Sequence, residues 1–124
     1  MRCVSMAFVC ALISSAAYGA AAQSNDLRDV SYSKYKSQVG EARMVTTLYI
    51  HGIFEGFLWA NGHLSFSHER NLYCQPSNLS LTSDQEISMM DEYIESHPDD
   101  KDLPVGLIAV SAAIYTFPCP TARE

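Results

Sequence analysis

Positive charge is scarce in this chain. Eight Lys and Arg stand against 14 Asp and Glu, a net charge of −6, which disfavours nucleic acid or anionic lipid as a partner and favours a basic protein surface. Long apolar runs are scarce as well. After the N-terminal stretch none approaches the roughly 18 residues that a membrane-crossing helix needs, so no downstream anchor is expected. Catalytic signatures are missing too: there is no Gly-x-Ser-x-Gly, no phosphate-binding glycine loop and no His-Glu-x-x-His.

What is present begins with an export signal. Arg2 supplies a positive charge, Val4–Ala17 an uncharged apolar run, and Ala20, Ala21 and Ala22 a small-residue cleavage pattern before Gln23. An uncleaved N-terminal anchor is the alternative. Cys10 does not read as a lipoprotein cysteine, because Ala7-Phe8-Val9 lacks the small residues such processing wants. Cleavage after Ala22 (residues 1–22 as signal peptide) leaves 102 of the 124 residues, enough for one small domain. It also removes Cys3 and Cys10, so Cys74 and Cys119 remain as a pair that an exported chain oxidises to one disulfide. Closing a loop of roughly 45 residues stabilises a fold by about 4 kcal/mol on the chain-entropy model. Two cysteines without a histidine pair make a poor zinc site, so no metal or cofactor is expected.

The expected fold is all-α: a compact bundle of about four helices around a buried central helix. Residues 23–39 are polar, and read as a mobile start with one weak helical turn near Ser33–Gln38; residues 40–124 form the domain proper. The central helix spans Glu41–Asn61, with Asn61-Gly62 as its stop. Within it, Tyr49 to Trp59 is apolar on every side and carries Gly52 and Gly56 on one face. Each interior glycine costs a helix roughly 1 kcal/mol, so the pair predicts that another backbone passes close by. Residues 62–81 read as a long loop, whose Asn78-Leu79-Ser80 matches a glycosylation acceptor, a triplet common by chance.

A second helix is predicted over Ser83–Ser96, started by a Thr82/Gln85 capping box, with Ile87, Met90 and Ile94 inside and Glu86, Asp91, Glu92 and Glu95 outside. His97-Pro98 ends it. Pro104 suits the first turn of a last helix, Val105–Phe117, whose small residues would face Gly52 and Gly56.

Candidate chemistry is thin. His51 and Glu55, four residues apart, suit an acid/base couple or a ligand pair, but two groups are too few for a site, and a buried hydrogen bond is the plainer reading. Cys74 would be no nucleophile once paired with Cys119. No enzyme is expected. The acidic stretch Asp91–Asp102 reads either as a solvated face or as a dock for a basic groove.

Taken in order, Tyr49-Ile50 with Gly52 and Gly56, Tyr73-Cys74, Pro76, Leu81-Thr82 with Gln85, Tyr93-Ile94, His97-Pro98, Pro104, Ala112-Ala113 and Phe117-Pro118-Cys119 resemble the Tai/Rap family of immunity proteins. These protect bacteria from cell-wall amidase toxins delivered by type VI secretion. The resemblance covers residues 45–120. Relatives often carry another cysteine ahead of the Tyr-x-x-Gly stretch, where this chain has Val45-Thr46-Thr47-Leu48.

The resemblance implies a small helical periplasmic protein that is not an enzyme and acts as a homodimer. Its partner would be a papain-like cysteine amidase, whose cleft would be covered by Ser83–Ser96, His97–Leu103 and the start of the last helix. Partner-binding residues on this reading are Asp91, Glu92, Glu95, His97, Asp99, Asp100 and Asp102; Tyr49, Gly52, Gly56, Pro98 and Pro104 are structural. Rival expectations are a periplasmic adaptor with another partner, and a small hydrolase using His51 and Glu55.

Overall fold

The computed structural model describes residues 26–121; the expected export signal, with Cys3 and Cys10, lies outside the described residues. Among these the protein is a helical bundle with no strand, as expected. Four α-helices pack together: α1 (Tyr32–Ser37), α2 (Gly40–Phe66), α3 (Ser83–Ser96) and α4 (Val105–Thr116). Short 3-10 turns at Leu27–Asp29 and Pro98–Asp102 lead into α1 and α4. No described helix is long and apolar enough to cross a membrane.

The bundle centres on α4 rather than on the longest helix. Val105, Ile108, Ala109, Ala112 and Ala113 are all buried, and α4 packs against both α3 and α2. Its small residues let those neighbours come close. Pro104 is the residue before the helix, not a member of its first turn: its carbonyl accepts from the Leu107 and Ile108 amides. Val105 N donates to Val30 O and Tyr32 N to Leu103 O, so the start of α4 is stitched to the chain just ahead of α1.

That stitching corrects the expectation of a mobile start, at least from residue 26 onward. Val30, Tyr32 and Tyr35 lie in the core, and the Arg43 guanidinium covers the Tyr35 ring at 3.9 Å while donating to the Tyr35 carbonyl. Ser31 caps α1 by accepting from Lys34 N. Gly40 then turns the chain into α2 with φ +58°, a left-handed conformation that strains any residue with a side chain.

Helix α2 differs from its expected form in three respects. It runs past Asn61-Gly62 to Phe66, because Asn61 faces inward and holds the following loop: its side chain accepts from Leu72 N at 2.8 Å and donates to Tyr73 O at 2.9 Å. Only one face of it is buried, through Thr46, Ile50, Phe54 and Asn61. Finally, Gly52 and Gly56 seat no neighbouring backbone, since a Cβ on either would meet nothing within 4 Å. The close approach lies across the groove at Gly106 of α4, where a Cβ would sit 3.2 Å from Ile53 Cδ1, with the Tyr49 hydroxyl beside it.

The boundaries of α3 are as expected. Thr82 Oγ1 accepts from Gln85 N, and Gln85 Oε1 accepts from Thr82 N, the reciprocal capping box. Pro98 opens the 3-10 turn that follows and prevents the helix from continuing. Cys74 and Cys119 form a disulfide that ties the α2–α3 loop to the segment after α4. Beside it Cys74 N donates to Phe117 O.

Candidate functional site

The acidic elements occupy the last turns of α3 and the 3-10 turn after it. Three of the six carboxylates among the expected contact residues are held by the protein itself. Asp91 accepts from the Tyr32 hydroxyl at 2.6 Å and from Lys36 Nζ at 2.9 Å. Asp102 accepts from Ser33 Oγ at 2.7 Å, and Asp100 from the Tyr93 hydroxyl at 2.6 Å. The Asp91 and Asp102 bonds clamp α3 and the 3-10 turn to α1, and the Asp100 bond ties that turn back to α3. They also fix both phenols: burial and then the Asp91 carboxylate push the Tyr32 pKa up, and the Asp100 carboxylate raises that of Tyr93.

Glu92, Glu95 and Asp99 are exposed, and no hydrogen bond or ion pair engages them among the described residues. They are therefore free to meet a partner. His97 stands next to them as part of an aromatic cluster, stacked on Tyr93 with ring centroids 4.3 Å apart and edge-on to Tyr115 at 5.5 Å. Its Nδ1 lies 2.9 Å from the Tyr93 carbonyl, as a donor. The outcome is a rigid ridge: three free carboxylates beside an imidazole–phenol stack, braced from behind by Asp91, Asp100 and Asp102. Lys101, exposed in the same turn, is the only cation within it.

A second feature lies at the opposite end of α3. His51 does not pair with Glu55; its Nδ1 is 2.9 and 3.0 Å from the two carboxylate oxygens of Glu86. Glu86 is the correction to the expected outer face of α3, for it is only 2% exposed. Burial raises its pKa, the His51 contact opposes that rise, and the nearby Glu55 charge adds to it. The pair floors a cleft of about 370 Å³ that Glu55, Tyr73, Ser80 and Leu81 help to line. Among the described residues no hydroxyl or thiol is bonded to His51, so the pair holds α2 to the first turn of α3 and presents no assembled nucleophile.

Sequence reasoning missed Glu86 because its charge argued for the outer face, although it lies four residues before the buried Met90 and so on the same helical face, and its partner is 35 residues away. The outward face of α2 was missed as well. Leu48, Trp59 and Phe66 are 62%, 76% and 85% exposed. Helical spacing from Ile50 and Phe54 would have placed them opposite the core.

No family model, curated protein or solved structure matches this chain. Among the described residues no cluster of three or more metal-binding side chains occurs.

Proposed function

We propose that this chain is an immunity protein: exported to the periplasm, it binds a peptidoglycan amidase toxin delivered by type VI secretion and occludes the toxin's active-site cleft. The observation that carries this reading is the ridge formed by Glu92, Glu95 and Asp99. A protein that blocks a cleft needs a preorganised projection whose charge complements its target, because ordering a flexible one on binding would consume affinity. Here the projecting residues sit on a capped helix and a proline-started turn, both clamped to α1 by Asp91 and Asp102. The resemblance of the landmark order to the Tai/Rap family is what suggests a papain-like cysteine amidase as the target and a homodimer as the acting form.

On this reading the protein performs no chemistry. Its carboxylates meet basic side chains at the rim of the amidase cleft, and the His97–Tyr93–Tyr115 stack supplies apolar contact beside them. Charge at such a rim governs association rate and salt sensitivity more than affinity.

The test is capture of the amidase encoded beside this gene, by the mature wild-type protein and by a Glu95→Lys/Asp99→Lys variant. Asp100 is left intact in this variant because it bonds Tyr93 and its loss would disturb the ridge. The expected result is inhibition by wild type, with the variant associating at least tenfold more slowly and with less dependence on salt. A wild type that binds no amidase would return the protein to the adaptor alternative.

A further inference from the structure

The cleft between α2, residues 73–81 and the first turn of α3 has no part in the acidic ridge, and its lining has one chemical character. Its volume of about 370 Å³ falls within the roughly 300–1,000 Å³ of small-ligand pockets. Glu86 lies at the floor, 2% exposed, and Glu55 stands exposed at the rim, with no hydrogen bond or ion pair to it among the described residues. Tyr73 is also only 2% exposed, yet no hydrogen bond among the described residues engages its hydroxyl. A buried phenol ordinarily finds a partner. The unpartnered polar atoms sealed from solvent among the described residues are Gln38 Oε1, Thr46 Oγ1 and Thr116 Oγ1; the Tyr73 hydroxyl is not one of them, so it opens on the cleft. Burial, then the charges of Glu55 and Glu86, push the Tyr73 pKa up, which puts the phenol in the field of both carboxylates.

Acceptors outnumber donors in this lining. His51 Nδ1 donates to the Glu86 carboxylate at 2.9 Å, which leaves Nε2 of the neutral ring as an acceptor. The Gln75 amide, a donor that could have served an anion, is directed to Leu79 O at 2.7 Å. An anion would therefore meet like charge, whereas a cation meets two carboxylates, a phenol oxygen and an imidazole nitrogen. His51, Glu55 and Glu86 do not converge as a metal-holding group, so the lining suits an organic cation. Phe54, Leu58 and Leu81 supply an apolar wall beside these acceptors, as the methylenes of an amphipathic cation require.

We propose that this cleft is a binding site for a primary alkylammonium group, the end of a lysine side chain or of a free alkylamine. The alkyl stem lies along Phe54 and Leu81, and the nitrogen sits between Glu55, the Tyr73 hydroxyl and the His51–Glu86 pair, giving Tyr73 the partner it lacks. An ammonium fits better than a guanidinium. Both Glu86 oxygens already accept from His51 Nδ1, so the floor offers no open carboxylate fork for a planar group, while a compact head with three rotatable donors can use separate acceptors. The proposal does not rest on the amidase reading, whose ridge lies at the other end of α3.

The experiment is an NMR titration of the isotope-labelled mature protein, with no amidase present. The probes are n-pentylamine and an acetyl-Gly-Lys-Gly-amide peptide, with 1-pentanol and pentanoate as uncharged and anionic controls. The amines are expected to shift the backbone amides of Tyr73, Leu81 and Glu86 saturably at millimolar concentration, and both controls to bind about tenfold more weakly or worse. Glu55→Gln and Tyr73→Phe should each weaken amine binding by about fivefold or more, the effect of losing one bond to a charged group. Neither replaced group makes a hydrogen bond within the fold, so both variants should keep the wild-type spectrum elsewhere; Glu86 is left intact because its loss would loosen α2 from α3. Tighter binding of the peptide identifies a protein lysine as the source of the ammonium, and tighter binding of pentylamine a free amine. No saturable shift with either cation, equal binding of pentanol, or unchanged affinity in both variants would overturn the proposal.

Discussion

The two faces of α2 are nearly alike in composition and opposite in circumstance. On the inner face Ile50 and Phe54 are buried beside Asn61, which ties down the loop; on the outer face Leu48, Trp59 and Phe66 stand in water. A folded chain lowers its free energy by burying apolar surface at about 25 cal/mol per Å², and the inner face of α2 has this stabilisation while the outer face does not. Composition alone cannot tell the two faces apart. What separates them is the register of the helix against α4, and that register is set by residues far away in the chain.

The comparison can be broken most severely on the inner face. Ile50→Ala leaves a cavity between α2 and its neighbours, and is expected to cost about 3 kcal/mol by denaturant unfolding. A cost under about 1 kcal/mol would mean that the inner face is not the core. Asn61→Ala should cost about 2 kcal/mol, because it strands the Leu72 amide and the Tyr73 carbonyl at once. Thr82→Ala, which removes the cap of α3 and touches neither face of α2, should cost about 1 kcal/mol.

Between the faces lies the His51–Glu86 contact, and pH sharpens it. Because the Glu86 pKa is raised above its ordinary value of 4.5, the folded state holds this proton more tightly than the unfolded one. The resulting stability is fully present below pH 4.5 and is lost as pH rises through the folded value. Melting temperatures of wild type and Glu86→Gln across pH 4 to 7 should therefore diverge in favour of wild type toward acid. A constant difference would show that Glu86 titrates normally. The smallest effect belongs to the outer face: Leu48→Ser should change stability by less than about 0.5 kcal/mol.

How much of this was legible in the sequence depended on how local each signal is. The limits of α3 were readable to the residue, since Thr82 with Gln85 and His97-Pro98 act within a few positions of themselves. The helical class, the disulfide and the buried α4 followed from periodicity and cysteine counting. The end of α2 was misjudged because Asn61-Gly62 is a stop only when nothing folds back to bond Asn61, and residues 72 and 73 do. The core role of Tyr32 and Tyr35 was hinted at by their spacing of three, but surrounding Ser and Lys residues masked it.

The candidate site was legible in part. Glu92, Glu95 and Asp99 stand free, as the charge run suggested, whereas Asp91, Asp100 and Asp102 are occupied by hydroxyls from Tyr32, Tyr93 and Ser33. No periodicity distinguishes a braced carboxylate from an open one. The glycines of α2 were expected to seat α4 closely, but a Cβ on Gly52 or Gly56 would meet nothing within 4 Å, and the tight contact is at Gly106 instead.

The central claim is that this protein neutralises a cell-wall amidase by binding it. Its most direct test is hydrolysis of purified peptidoglycan by the amidase encoded beside this gene, with the mature protein added in increasing amounts. The account predicts that hydrolysis falls to background near one equivalent, and that the Glu95→Lys/Asp99→Lys protein reaches the same inhibition more slowly after mixing. Undiminished hydrolysis at a large excess of wild type would contradict it.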